Sequence, residues 1–274
     1  MSSAVLEAAI AAARAGGEIL LRSWRDLPSG SVREKRQNDF VTAADRESEE
    51  RILAEIRARF PEDGFLAEES GGDPAAASAR RTWIVDPLDG TSNFIAGFPF
   101  WSISIAAREG GEIVAGVVWD PLRGELYTAE RGAGAFRNGQ RLRVSPRPGL
   151  AGAFLATGFP FRSRDKIDVY LALFRELFLQ ARAVRRAGSA ALDLANVAAG
   201  VFDGFFEFRL SPWDIAAGAL LIEEAGGEIT DFEGGDAFWR RGNIVAGSPG
   251  VAAEIRRVAL RLRIEDSLGE TEET

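Results

Sequence analysis

Asp86-Pro87-Leu88-Asp89-Gly90-Thr91-Ser92-Asn93-Phe94 concentrates the groups in this chain that could do chemistry. Two carboxylates stand three residues apart. Pro87 fixes its own φ and removes a backbone donor between them. Gly90 lets the backbone turn or come close to a ligand. Thr91, Ser92 and Asn93 offer hydroxyls, an amide and backbone N–H groups where a helix could begin. Carboxylates beside amide donors suit one task above others, the holding of a divalent cation against a phosphate. Ordinary turn chemistry also accounts for Pro87, Asp89 and Gly90, so on these residues alone both readings stand.

Composition narrows the chemistry. The 274 residues include no His and no Cys. That removes a Ser-His-Asp triad, a His or Cys phosphoryl nucleophile and any nitrogen or thiolate ligand for zinc. A metal must be held by oxygen, which points to Mg²⁺, Mn²⁺ or Ca²⁺. Disulfides are impossible, so they carry no information about compartment. With 41 acidic against 33 basic residues the net charge is −8, a poor balance for direct nucleic-acid binding. The start lacks the basic-then-apolar pattern of a secretory signal, and no apolar run approaches the roughly 20 residues that span a bilayer. The expectation is a soluble cytoplasmic protein with no membrane contact. At 46% hydrophobic residues it can bury a sizeable core.

Other acids occur in comparable settings. Glu68 and Glu69 end a strand candidate, Asp45 follows Val41-Thr42, and Asp214 lies in Ser211-Pro212-Trp213-Asp214. Clustered carboxylates repel, and a fold tolerates them when cations neutralise them. Each also has a plainer reading. Thr42-x-x-Asp45 and Ser211-x-x-Asp214 resemble capping boxes with Asp in place of Glu, and Pro212 suits a first helical position. Glu68-Glu69 reads equally as a solvated strand end. Capping and metal binding are compatible, because a helix N-terminus does not occupy both carboxylate oxygens.

The elements that must position these residues follow from apolar periodicity and turn residues. A first helix, capped by Ser2 or Ser3, runs to about Trp24, weakened at its middle by Gly16-Gly17. Leu27 to Asn38 reads as a mobile loop or hairpin. A second helix spans Thr42 to Phe60 and stops at Pro61. Gly64 to Glu69 is a short strand running into acids, Gly71 to Ala79 a loop, and Trp83-Ile84-Val85 the end of a buried strand. Alternating runs at 101–105, 113–119 and 125–129 are typical of antiparallel strands. Gly132, Gly134 and Asn138-Gly139 mark further turns. The second half alternates: strands near 154–157, 183–185, 204–208 and 244–246 each precede a helix, at 165–179, 189–199, 212–225 and 251–262. That alternation argues for an α/β sheet. The Pro-containing stretch Ser145 to Gly149 is the best internal boundary. It divides an N-terminal half (1–145), carrying most candidate ligands, from a C-terminal half (146–264). Residues 265–274 read as a disordered acidic tail.

In these residues the chain resembles the inositol monophosphatase family of Mg²⁺-dependent, lithium-sensitive phosphatases, its bacterial members most. Asp86 to Phe94 looks like the family's first signature and Pro212-Trp213-Asp214-Ile215-Ala216-Ala217-Gly218 like its second. Smaller matches are Asn38-Asp39-Phe40-Val41-Thr42-Ala43-Ala44-Asp45, Ala67-Glu68-Glu69-Ser70 and Gly188-Ser189-Ala190-Ala191-Leu192. They occur in the family's order and span most of residues 5–260. Ala67 stands where many relatives have Gly, and Arg33-Glu34-Lys35-Arg36 does not match the family's lysine-bearing loop. No expected acidic ligand is missing.

The resemblance implies a layered αβαβα sugar-phosphatase fold, with an N-terminal α+β half around a largely antiparallel sheet and a C-terminal α/β half around a mixed sheet. It implies that Glu68, Asp86 and the Leu88 carbonyl hold one Mg²⁺, and that Asp86, Asp89 and Asp214 hold a second, with Asp86 bridging. A third, weaker Mg²⁺ would lie near Glu68. Mn²⁺ would substitute, and Li⁺ or Ca²⁺ would inhibit. The phosphate would sit against the N–H groups of Gly90 and Thr91. Thr91 and Glu68 would orient the attacking water, with Asp45 bonded to the threonine hydroxyl. Asp89, Gly188, Ser189, Ala190, Glu207 and Asp214 would line the polyol site, and Arg185 would reach the phosphate or a hydroxyl or, in the plainer reading, lie at a surface or interface.

The expected activity is phosphate monoester hydrolysis of myo-inositol 1-phosphate or a similar small polyol phosphate by metal-activated water, with two cations about 3.5–4 Å apart serving entering and leaving oxygens. An aspartyl-phosphate route through Asp86 is the rival, disfavoured because a bridging carboxylate has no free nucleophilic oxygen. Fructose 1,6-bisphosphate, adenosine 3′,5′-bisphosphate and histidinol phosphate are alternatives within the class. A protein-binding role in transcription machinery is the alternative outside it. Family resemblance also suggests a homodimer.

Overall fold

The computed structural model describes residues 2–24, 32–36, 39–73, 79–161 and 163–269. The expected motif residue Asn38 and the tail residues 270–274 lie outside them. The order of elements is α1 (Ala4–Ser23), β1 (Val32–Arg36), β2 (Asp39–Thr42), α2 (Ala43–Arg57), β3 (Gly64–Ala67), β4 (Gly71–Gly72), β5 (Arg81–Asp89) and α3 (Thr91–Ala96). A run of strands follows: β6 (Ser102–Glu109), β7 (Glu112–Asp120), β8 (Glu125–Glu130), β9 (Gly134–Arg137) and β10 (Gln140–Arg141). The second half has β11 (Phe154–Thr157), α4 (Ile167–Phe178), β12 (Ala183–Arg185), α5 (Ala190–Ala198), β13 (Gly204–Glu207) and α6 (Pro212–Glu224). It ends with β14 (Glu228–Thr230), α7 (Phe238–Arg241), β15 (Ile244–Gly247), α8 (Pro249–Arg261) and α9 (Ile264–Leu268).

Five layers result. One sheet has the order β10-β9-β8-β7-β6-β5-β3-β4, antiparallel except where β3 runs parallel to β5. The other has the order β12-β11-β13-β15-β14, with parallel pairs about β11 and antiparallel pairs about β15. Strand alternation sends side chains to opposite faces. Trp83, Val85, Ile103, Ile105 and Val117 therefore pack on α1 and α2, with Leu20, Ile52 and Ile56. Ile84, Ala106 and Val118 face inward, onto α5 and α6, which meet Phe205 and Ala246 of the second sheet on their other side. Phe206 and Val245 face outward, onto Tyr170 of α4 and Ile255 of α8. Strands covered on both faces read as continuous apolar runs, and β5 is buried from Thr82 to Asp89.

The expected αβαβα layering is what the chain adopts, with local differences. Gly16 and Gly17 leave α1 continuous and let it pack closely, whatever they cost in helix propensity. A Cβ at Gly16 would lie 2.8 Å from Ile52, and one at Gly17 would lie 2.7 Å from the Trp119 indole nitrogen. Gly71-Gly72, read as loop, pairs with β3. The strand expected to end at Val85 continues to Asp89. Residues 265–268, placed in the tail, form α9, where Leu268 is buried and the Glu265 carboxylate accepts from Asn243 Nδ2 at 3.0 Å. Among the described residues no helix is long and apolar enough to cross a membrane.

Candidate active site

The strand β5 carries Asp86 and Asp89 through an irregularity. Asp86 pairs with Ser104 and Asp89 with Ser102, so three steps along β5 oppose two along β6. In a regular strand, residues three apart point to opposite faces. The extra residue restores them to one side, as a bulge does. Pro87 supplies no ladder donor, and the Leu88 N–H instead bonds Asp86 Oδ1 at 3.0 Å. The Asp86–Asp89 part of the signature is therefore a bent strand segment rather than a turn beyond one.

Because β3 runs parallel to β5 with Ala67 opposite Val85, the next residue, Glu68, emerges beside Asp86. Its N–H bonds Val85 O at 3.1 Å. Asp214 comes from the inner helix layer, in the first turn of α6, where it accepts from the Ser211 N–H at 2.7 Å in a capping box. Two glycines press α6 inward. A Cβ at Gly116 would lie 3.1 Å from the Ala217 backbone, and one at Gly218 would lie 2.6 Å from Leu194. The Ser104 hydroxyl ties the helix start to β6 by donating to Trp213 O at 3.0 Å.

These constraints bring one carboxylate oxygen from each of Asp86, Asp89 and Asp214 within 4.8 Å of one another, all three buried. Such proximity is costly without a cation. Burial, then the charges of Glu68, Asp89 and Asp214, hold the Asp86 carboxyl well above the usual range, and a hydrogen bond with Glu68 adds to this. Burial and then Asp214 push Asp89 up to about 7, against the opposing effect of hydrogen bonds from Ser189 and the α5 backbone. Glu68 adjoins the trio through Asp86 but is not part of it. The donor set is all oxygen, mostly anionic and desolvated, which fits a hard divalent cation.

Gly90 has φ +95°, and a Cβ there would come 3.1 Å from Phe100 O and 3.2 Å from Gly188 O, so the position requires glycine. It caps α3, whose first residue, Thr91, has its hydroxyl 3.1 Å from both Asp45 Oδ1 and Leu88 O. Asp45 Oδ2 accepts from the Thr42 N–H at 3.0 Å and from the Thr42 hydroxyl, so the capping box fixes Asp45 in place. Asp45 stands behind Thr91 rather than at the cavity wall.

A cavity of about 390 Å³ opens over the acids. Glu68, Asp86, Leu88, Asp89, Gly90 and Thr91 line it, together with Gly188, Ser189, Ala190, Glu207 and Asp214. Arg185 does not line it. Its guanidinium lies 4.8 Å over the Phe154 ring, in a separate depression, whereas the next residue, Arg186, does line the cavity. Sequence reasoning also passed over Gly158 and Asp193. A Cβ at Gly158 would fall 1.9 Å from the Glu207 carboxylate, so that glycine makes room for the acid. Asp193, five residues beyond Gly188, was legible only as the one acid on a largely apolar helix.

A model of the inositol monophosphatase family matches residues 1–263. The Nus factor SuhB of Pseudomonas aeruginosa is 49% identical over 247 residues, 89% of this chain and 91% of that protein. The crystal structure of the extragenic suppressor protein suhB from Bartonella henselae superposes with a TM-score of 0.88 at 43% identity, covering 93% of this chain and 98% of that one. Inositol monophosphatase from Anabaena (Nostoc) gives a TM-score of 0.84 at 36% identity, covering 94% and 95%.

Proposed function

The chain belongs to the inositol monophosphatase family, which makes it a phosphatase of this superfamily, and on that premise we propose that it hydrolyses myo-inositol 1-phosphate or a similarly small polyol phosphate with Mg²⁺. The observation that carries the reading is the convergence of Asp86, Asp89 and Asp214 from a bulged strand and a helix start on one buried spot. Glu68, Asp86 and the Leu88 carbonyl would hold one ion, and Asp86, Asp89 and Asp214 a second. A third ion near Glu68 belongs to the same proposal, as do replacement by Mn²⁺ and inhibition by Li⁺ or Ca²⁺. When bound, the ions would supply Lewis-acid activation of water and neutralise developing charge on the phosphoryl oxygens.

The residues supply the rest. Donation from the Thr91 hydroxyl to Asp45 leaves its lone pairs free to accept a hydrogen bond from the attacking water and so orient it. Glu68, across Asp86, would be the second acceptor for that water. The backbone N–H groups of Gly90 and Thr91 would meet the phosphate. Glu207 and the segment Gly188–Ala190 would receive the polyol, with Asp89 and Asp214 facing both ends of the ester. The test is phosphate release from a panel of inositol 1-phosphate, fructose 1,6-bisphosphate, adenosine 3′,5′-bisphosphate and histidinol phosphate with Mg²⁺. Turnover of none would reject the reading, and preference for another member would reassign the substrate.

A second role, as a protein partner in transcription machinery, is supported by the likeness to a Nus factor. An acidic net charge favours protein contacts over direct nucleic-acid contacts in that role. A pull-down that survives Asp89→Asn would separate it from catalysis. Homodimer formation and a cytoplasmic location complete the proposal.

A further inference from the structure

Among the described residues, three buried side-chain polar atoms have no hydrogen-bond partner: Trp101 Nε1, Trp213 Nε1 and Asp193 Oδ1. The two indoles pack in or against the apolar clusters. Asp193 alone of the three lines the catalytic cavity. It is only 2% exposed, on a helix whose other residues are almost all buried and apolar. Leaving such an oxygen unpaired costs about 1–3 kcal/mol. The α5 N-terminus is already capped by Ser189, so an acid in its first turn adds only a favourable interaction with the helix dipole.

The surroundings say what the Asp193 carboxylate would meet where it lines the cavity. Glu207 and Asp89 are the acids whose charge reaches Asp193, and Arg186 is the cation opposing them. The Arg186 guanidinium lies over Phe159 and Phe161, 5.8 and 4.9 Å from the ring centroids. Asp193 thus lines the same cavity as Glu207 and is within electrostatic reach of both Glu207, which would receive the ester's alcohol portion, and Asp89. A ligand there must bring hydrogen-bond donors, and a second anionic group would meet two carboxylates. We propose that Asp193 is a specificity-determining residue: together with Glu207 it accepts hydroxyl hydrogen bonds from a neutral polyol, and so favours polyhydroxylated monophosphates over hydroxyl-free esters.

The proposal rests on the phosphatase reading, and its test keeps the two apart. Full-length wild type, Asp193→Ala and Asp193→Asn are compared on myo-inositol 1-phosphate and on phenyl phosphate, which has no free hydroxyl. Turnover with Mg²⁺ is paired with calorimetric binding in Ca²⁺, and with a thermal midpoint in EDTA. Asp193→Ala should narrow the preference for inositol 1-phosphate about tenfold, mainly through KM and affinity. Its midpoint should not fall, because the alanine removes an unsatisfied group. Asp193→Asn keeps an acceptor and should recover most of the preference. Equal losses on both esters, or a lowered midpoint in Asp193→Ala, would assign the residue a structural role and overturn the proposal. Binding that depends on Asp193 without turnover would reject the phosphatase reading alone, whereas wild type binding neither ester would reject both.

Discussion

The Ser189 hydroxyl donates to Asp89 Oδ2 at 2.5 Å, and the Ala191 N–H donates to the same oxygen at 2.8 Å. A metal-ligand candidate on the first sheet is thus held by the start of a helix in the central layer. Ser189 is also the N-cap of that helix, accepting from the Leu192 N–H. One side chain therefore closes the helix and orients the acid.

Ser189→Ala should remove both interactions. Loss of a cap and of a hydrogen bond to a charged group predicts a destabilisation of about 1–3 kcal/mol, read from urea unfolding. Because the Ser189 bond opposes the upward push on Asp89, its loss should also weaken Mg²⁺ binding near neutral pH. Unchanged stability together with unchanged Mg²⁺ affinity would contradict the linkage.

Asp89→Asn should reduce kcat/KM by on the order of 10²–10³-fold or more, as expected when an electrostatic clamp on the reacting group is lost. It should do so without unfolding the protein. In EDTA its thermal midpoint should exceed that of wild type, because one of three mutually close buried acids has become neutral. Full activity in this variant would remove Asp89 from the ligand set.

Much of this site is written locally in the chain. Ser211-Pro212-Trp213-Asp214 announces a capped helix start, and the structure contains the box. Thr42-x-x-Asp45 announces another. Both residue pairs carry their own geometry, since a cap depends on contacts three residues away. The bulge between Asp86 and Asp89 was not legible, because it is defined by register against Ser104 and Ser102 on a different strand. Arg185 and Arg186 were indistinguishable as neighbouring cations. Only the exit direction of β12 decides that the second faces the cavity. The short elements β14, α7 and α9 lack a periodic signal long enough to read, and tertiary packing fixes them.

Gly90→Ala offers a test of the phosphate end. The residue sits at φ +95°, and a methyl group would press on two carbonyl oxygens, one from the Phe100 segment and one from Gly188. Strain of this kind costs about 1–3 kcal/mol. Relief by backbone movement would displace the Thr91 N–H and hydroxyl together. The expected outcome is a lower urea midpoint and at least about a tenfold loss of kcat at saturating Mg²⁺. Wild-type kcat in a destabilised variant would show that Gly90 serves the fold alone.

The pH dependence of the metal-free protein follows from Asp89. Its carboxyl titrates at 3.8 when unperturbed and is pushed up to about 7 in the folded state. Below 3.8 both states hold the proton. Between 3.8 and about 7 the folded state keeps a proton that the unfolded state has released, so the unfolding free energy falls as pH rises through that window. Above about 7 the contribution is constant and unfavourable, by roughly 4 kcal/mol at most. Asp86, raised in the same direction, extends the trend. Urea titrations in EDTA should therefore show stability falling from pH 5 to pH 7, and Asp89→Asn should flatten the slope. Mg²⁺ should reverse the sense, because binding the ion requires the released carboxylates and its affinity grows with pH. A metal-free protein that becomes more stable from pH 5 to pH 7 would mean that the three acids are not crowded as described.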